Sequence, residues 1–269
     1  MTETWWLKLD RAQEHLDELQ DEIGRYARLE PYHAEEGRQP KGKRHLATYV
    51  LRFSKPPMPR ISLLAGDCAH NMRSALDHLA VAMSDKDERS SAKFPIEEKP
   101  IWQRGADGEF VVKDDDARDR FARAIRGMTP EAKALVKRMQ PYNFERNIAN
   151  ALRVVRAIDN ADKHRDIIGL KPVLDGSTIS LWRNGKPLLH ESRFSLAYDG
   201  AQLGEFDFSA ISPRLWATVK TNVQVKVRGS LHVAMEIVDV TGPMDVLELS
   251  PTLAYLREAI VPSLEQCVR

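Results

Sequence analysis

The stretch "AHNMRSALDHLA", residues 69–80, sets His70, Asn71, Arg73, Ser74, Asp77 and His78 inside an otherwise apolar run. These are short or directional hydrogen-bonding side chains, not the Lys and Glu that usually cover the wet face of a helix. With Asp67 at 0° and 100° per residue, Cys68, Ala69, Met72, Ala75, Leu76, Leu79 and Ala80 fall between about 80° and 220°. Asp67, His70, Asn71, Ser74, Asp77 and His78 take the opposite arc, and Arg73 sits on the border near 240°. An arginine can hold a phosphate and stabilise the charge that develops on it. A histidine can exchange a proton with a ribose 2′-hydroxyl or a leaving oxygen. Arg73 and His78 together would suffice for metal-free RNA cleavage by internal transfer.

A second stretch, "AIDNADKHR" at 157–165, brings Asp159, Asn160, Lys163 and His164 to the end of a core-facing stripe made by Ile148, Leu152 and Val155. Two core helices with polar groups on their inner sides suggest one shared site. The other reading is an internal salt bridge, Arg73 with Asp159 or Asp77 with Lys163, that fixes helix register without chemistry. His70 and His78 are eight residues apart, about 12 Å along a helix, and cannot share a metal ion. No His-Glu-x-x-His or Cys-x-x-Cys spacing occurs, and neither a Gly-rich phosphate loop nor a Gly-x-Ser-x-Gly elbow is present. No metal and no cofactor are expected. Cys68 lies on the apolar arc and is expected to be a buried core thiol.

"RSALDH" resembles the Arg-x4–6-His motif of the HEPN superfamily, helical-bundle proteins of which many are RNases in toxin–antitoxin and phage-defence systems. The resemblance implies Arg73 and His78 as the catalytic pair, with Asn71, Ser74, Asp77, His70, Asp159, Asn160, Lys163 and His164 orienting them or touching RNA. Ser74 departs from the pattern, since the family favours Asn, Asp or His just after the arginine. The resemblance also implies a homodimer with two motifs facing one cleft, and an antitoxin or other regulatory protein as partner. Its non-catalytic alternative is a bundle that binds a nucleotide, RNA or a protein. Arg28/His33, Arg38/His45 and Arg183/His190 match the same spacing, but Pro or Gly interrupts each of them. The strings "HNMRSALDHLA" and "IDNADKHR" are together similar to a group of bacterial proteins. The resemblance covers the helical half of the chain at most.

The elements that must position these residues follow from periodicity. Residues 5–30 read as one helix, with Trp6, Leu9, Leu16, Leu19, Ile23 and Tyr26 at helical spacing. Residues 37–44 read as a loop, and 45–53 as an alternating strand. A helix is predicted from about Ile61 to Met83, an irregular extended segment over 84–115, and short helices over 116–126 and 130–139. Thr129 should cap the second short helix, and Pro130 fits its first turn. Another helix spans 145 to about 165. After Gly169, "STISLWRNGKPLLHE" reads as a hairpin about Asn184-Gly185, further strands run to about 240, and a last helix covers about 251–267. The expected fold is α+β: one domain, a HEPN-like helical bundle combined with an antiparallel β-sheet drawn from residues near 45–53 and 170–240.

Composition agrees with a globular protein: 269 residues, 42% hydrophobic and 29% charged, with a net charge of +1. That balance excludes a polyelectrolyte binder of the whole-chain kind. From Arg118 to Arg165, however, 12 Lys or Arg face 5 Asp or Glu, a local excess of +7 that can attract an anion such as phosphate. No apolar run reaches the roughly 18 residues of a membrane helix, so no membrane partner is expected. The first residues lack a signal-peptide pattern, and the two cysteines stand far apart. A reducing cytoplasm is the expected location.

Overall fold

Apolar residues at helical spacing fold Thr4–Arg28 into helix α1, which buries Trp5, Leu9, Leu16, Leu19 and Tyr26. The computed structural model describes residues 3–37, 46–104, 110–112, 114–143, 148–164, 168–183, 186–192, 196–207, 224–236 and 244–268. Strands β1 (Tyr32–Glu36) and β2 (Leu46–Phe53) follow α1; most of the expected loop between them lies outside the described residues. Helix α2, Pro59–Ala82, starts two residues before the predicted Ile61 because Pro59 takes the first helical position, where its missing N–H costs nothing. Arg60 pairs with Glu18 and Cys68 donates to the Ala12 carbonyl, so α1 and α2 run antiparallel.

The segment predicted as irregular contains a small hairpin, β3 (Trp102–Arg104) with β4 (Phe110–Val112). Helices α3 (Asp115–Ala124), α4 (Pro130–Arg138) and α5 (Ile148–His164) come next. Asp114 caps α3 by accepting from Ala117 N, and Thr129 caps α4 by accepting from Ala132 N, as its type and place predicted. The last helical stretch is not uniform: α6 (Leu249–Tyr255) and α7 (Val261–Glu265) flank a π-helical turn at Leu256–Ile260. Pro262, with no N–H to donate back, accounts for a break in the α-helical ladder there. The indoles of Trp5 and Trp6 both donate to one oxygen of Glu265, tying α1 to α7.

The β part corrects the expected single sheet. β1, β2 and β7 (Gln202–Asp207) make one antiparallel sheet, while β5 (Gly169–Arg183), β6 (Lys186–Ser192), β8 (Gln224–Glu236) and β9 (Met244–Asp245) make another. The runs "VQVKVR" and "LHVAMEIVDV" belong largely to one strand, β8, paired along β5 from Gly169↔Glu236 to Trp182↔Gln224. β5 and β6 are in hairpin register up to Arg183↔Lys186, as the Asn-Gly signal required, although the turn itself is outside the described residues. Residues from both sheets, among them Tyr49, Leu51, Leu174, Leu181, Leu203 and Phe206, share a second core. The main core joins α1–α7 and takes Val233 and Met235 from β8. The architecture is α+β. No described helix is long and apolar enough to cross a membrane.

Burial decides the chemistry of two core groups. Cys68 is fully buried, and desolvation pushes its thiol up to about 12 from an ordinary value near 9.0. Burial likewise raises Tyr26, whose hydroxyl donates to the Lys55 carbonyl, to about 12. Both groups stay protonated in the fold while the unfolded chain ionises, so stability falls as pH climbs through the alkaline range toward pH 12. In a thiol titration at pH 8, Cys267 should react and Cys68 should stay silent until urea unfolds the chain. Rapid labelling of Cys68 in the native protein would contradict this burial.

Candidate functional site

The polar arc of α2 divides into two stripes. Gly66, His70, Arg73 and Asp77 lie within about 60° of one another around the axis, and Asp67, Asn71, Ser74 and His78 form a second stripe about 100° away. Arg73 and His78 are therefore about 140° apart, on different sides of the helix. The first stripe faces α5 and the segment 92–97. In the second, Asn71 is buried, with its amide donating to the Asp67 carbonyl one turn back, and Ser74 and His78 are half-buried. No hydrogen bond or ion pair involves the His78 side chain among the described residues.

Arg73 is 17% exposed in its side chain and serves the backbone of a neighbouring segment. Its Nη2 donates to the Phe94 carbonyl at 2.6 Å, while Phe94 N donates to Asp77 Oδ1 at 2.9 Å. Arg73 and Asp77, one turn apart and 3.2 Å from each other, thus meet both polar groups of one residue, as a neighbouring strand would. The same segment is held from its other side by fully buried Gln140. Gln140 Nε2 donates to the Pro95 and Val136 carbonyls, and its Oε1 accepts from Glu97 N. Phe94 and Ile96, between these clamps, point into the main core. Gln140→Ala would leave Glu97 N and the Pro95 carbonyl unpaired and should cost about 2 kcal/mol in urea unfolding.

Where α2 crosses α5, charge is concentrated. Asp159 is 3% exposed, and both of its oxygens are engaged: Oδ1 lies 3.2 Å from His70 Nδ1, and Oδ2 accepts from Lys163 Nζ at 2.6 Å. The helices meet closely here, since a Cβ on Gly66 would lie 2.4 Å from Asp162 Oδ1. Burial and the neighbouring Asp67 and Asp159 hold the Asp162 carboxyl above its ordinary value, against the pull of His70 and Lys163. The salt bridges expected between helices, Arg73 with Asp159 and Asp77 with Lys163, are not formed. Each cation pairs instead with the carboxylate one turn away on its own helix, Arg73 with Asp77 and Lys163 with Asp159.

Beside this crossing runs an open groove of about 680 Å³, walled by α2, α3, α5 and the clamped segment. Six cations line it: Arg73, Lys93, Arg120, Arg123, Arg156 and Lys163, against the acids Asp77, Glu97 and Asp159. Arg73 and Lys163 are paired as above, and Arg156 lies 3.5 Å from Glu98. Lys93, Arg120 and Arg123 are exposed and have no ion-pair partner among the described residues. Glu97 is raised by burial, with Arg156 and Arg120 opposing the shift. A second basic groove, of about 540 Å³, is lined by α3, the turn after it and α4, and carries Arg126, Lys133 and Lys137. Arg123 and Phe121 belong to both.

Of the residues singled out in the sequence, Arg73, Asp77, Asp159, Asn160 and Lys163 line the first groove. His70 touches it through Asp159. Asn71, Ser74 and His78 do not line it, and the His164 side chain is outside the described residues. Lys93, Arg120, Arg123 and Arg156 were not singled out. The local excess of +7 over 118–165 was the signal for the three arginines, though it named no residue, and Lys93 lies outside that stretch. Among the described residues no group of three or more His, Cys, Asp or Glu is placed to hold a metal ion. Compared with known proteins, no family model, no curated protein and no solved structure matches this chain.

Proposed function

We propose that the protein binds RNA through its phosphate backbone, with the groove between α2, α3 and α5 as the principal contact. One observation carries this reading: six cations converge on one open groove, and three of them, Lys93, Arg120 and Arg123, form no salt bridge among the described residues. Unpaired exposed Lys and Arg in a concave, net-positive site attract phosphate strongly and select little for base. The second basic groove, joined through Arg123, extends the positive surface to α4 and favours a polymer over a mononucleotide. Phe121 and Phe94 serve the core, so the groove is read by charge more than by stacking.

The resemblance of "RSALDH" to the HEPN motif adds the expectation of cleavage by Arg73 and His78 and of a homodimer. The stripe geometry separates that pair within one chain, which makes the binding reading the stronger of the two. Fluorescence anisotropy with a labelled single-stranded 20-mer, titrated from 50 to 300 mM NaCl, tests it. The expected result is micromolar or tighter binding at low salt, weakening steeply and log-linearly with salt, whatever the sequence. A mononucleotide should bind far more weakly. Absence of salt-dependent binding would refute the assignment.

A further inference from the structure

The α2–α5 crossing holds an arrangement that phosphate binding does not use. Asp159 is nearly inaccessible, yet its Oδ1 faces the Nδ1 of His70, whose side chain is 52% exposed. A hydrogen bond from Nδ1–H to a buried carboxylate sets the imidazole tautomer and leaves Nε2 as a free acceptor toward solvent. The other oxygen of Asp159 is held by Lys163, so the carboxylate cannot easily turn away. Asp159 and Lys163 are themselves part of the groove wall. An oriented, solvent-facing imidazole therefore stands one contact from a site built for phosphate. Asp159 lies against the imidazole, whose charge also acts on the carboxyl of Asp162.

We propose that His70, oriented by Asp159 as a positioning residue, is the proton acceptor of a phosphodiester-cleaving centre on the rim of this groove. The inference rests on the reading of the groove as an RNA site. His70 Nε2 takes the 2′-hydroxyl proton as O2′ bonds to phosphorus. The P–O5′ bond breaks, and the leaving 5′-oxygen takes a proton from water. The hydroxide so formed recovers the proton from the imidazolium. The products are a 2′,3′-cyclic phosphate and a 5′-hydroxyl, with no further reactant consumed. This moves proton transfer from His78, on the other stripe of α2, to His70, on the stripe of Arg73.

The test is cleavage of a single-stranded RNA in excess EDTA, with anisotropy binding measured on the same preparations. The proteins are wild type, His70→Ala, His78→Ala and, as a neutral control, His33→Ala on exposed β1. His70 is half in solvent, so His70→Ala should fold with the circular dichroism of wild type, its melting temperature lower only by the loss of one hydrogen bond to buried Asp159. The expected result is cyclic-phosphate ends from wild type, a rate at least about 100-fold lower for His70→Ala, and recovery of much of that loss on adding imidazole. Wild type that binds RNA without cutting it would overturn this inference and leave the binding reading standing. Cleavage lost in His78→Ala but kept in His70→Ala would overturn it in favour of the Arg73/His78 pair. Wild type that does not bind would overturn both.

Discussion

Replacing Lys93, Arg120 and Arg123 together by alanine is expected to weaken RNA binding on the order of 100-fold at 100 mM salt. All three are exposed, and none forms a salt bridge among the described residues, although Arg120 acts on the Glu97 carboxyl from a distance. Each removed contact with a phosphate, in a solvent-screened setting, contributes up to about 1 kcal/mol, and a loss of about 3 kcal/mol is roughly two powers of ten in affinity. The slope of log affinity against log salt should fall by about 2, since each single-strand phosphate neutralised accounts for about 0.7. The loss should be uniform across RNA sequences, because backbone contacts carry no base information. Stability should barely move, since surface substitutions without buried partners usually change it by less than about 0.5 kcal/mol. A variant that binds as wild type does would show that the groove is not the RNA site. A variant that unfolds would show that these cations hold structure.

The second large effect is expected from Asp77→Ala, and it is a loss of stability. Asp77 Oδ1 accepts the Phe94 N–H and lies beside the Arg73 guanidinium. Alanine leaves a part-buried backbone donor unsatisfied and strands a cation that is only 17% exposed. Removing one partner of a buried ion pair costs about 3–5 kcal/mol. Asp77 is 31% exposed, so solvent screening brings the expected loss down to about 2 kcal/mol. For a chain of this size that corresponds to a melting temperature lower by roughly 4–8 °C. Asp77→Asn keeps an acceptor for Phe94 N and should lose about half as much. Arg73→Ala should also destabilise, and the double variant Arg73→Ala/Asp77→Ala should lose less than the two single losses added, because one clamp is removed twice. If the unfolding midpoint of Arg73→Ala equals that of wild type, the clamp is not a stability element. Any loss of RNA activity in Arg73→Ala must then come from the ligand site alone.

The helices were legible because each buries one stripe at a 3.6-residue period, a signal that lies within a single segment. The caps were legible for the same reason: Thr129 and Pro130 act on the turn they begin. The grouping of strands into two sheets was not legible, since register and partner choice depend on residues far apart in sequence. β5, for example, pairs with β6 next to it and with β8 more than forty residues on. The polar character of α2 was plain in "HNMRSALDHLA", but its meaning was not. Arg73 and Asp77 turned out to complete the backbone hydrogen bonds of Phe94, and nothing in the composition of residues 92–97 announces that need.

The charge pattern divides in the same way. An excess of +7 between Arg118 and Arg165 is a property of the chain, and it holds whatever the fold. Which of those cations are free is decided by the folded structure, because pairing depends on which of several nearby carboxylates each side chain reaches. Lys163 is held by Asp159, Arg118 pairs with Asp115 and Asp119 on its own helix, and Arg120 and Arg123 look into the groove without such partners. By itself, the sequence determined an α+β protein with a polar helix at its centre and a basic stretch beside it. The tertiary structure decided that Arg73 holds a backbone segment and that His70 is the histidine with a buried carboxylate behind it. It also set Lys93 beside α3 residues some thirty positions away, with Lys93 N donating to the Ala124 carbonyl at the end of α3.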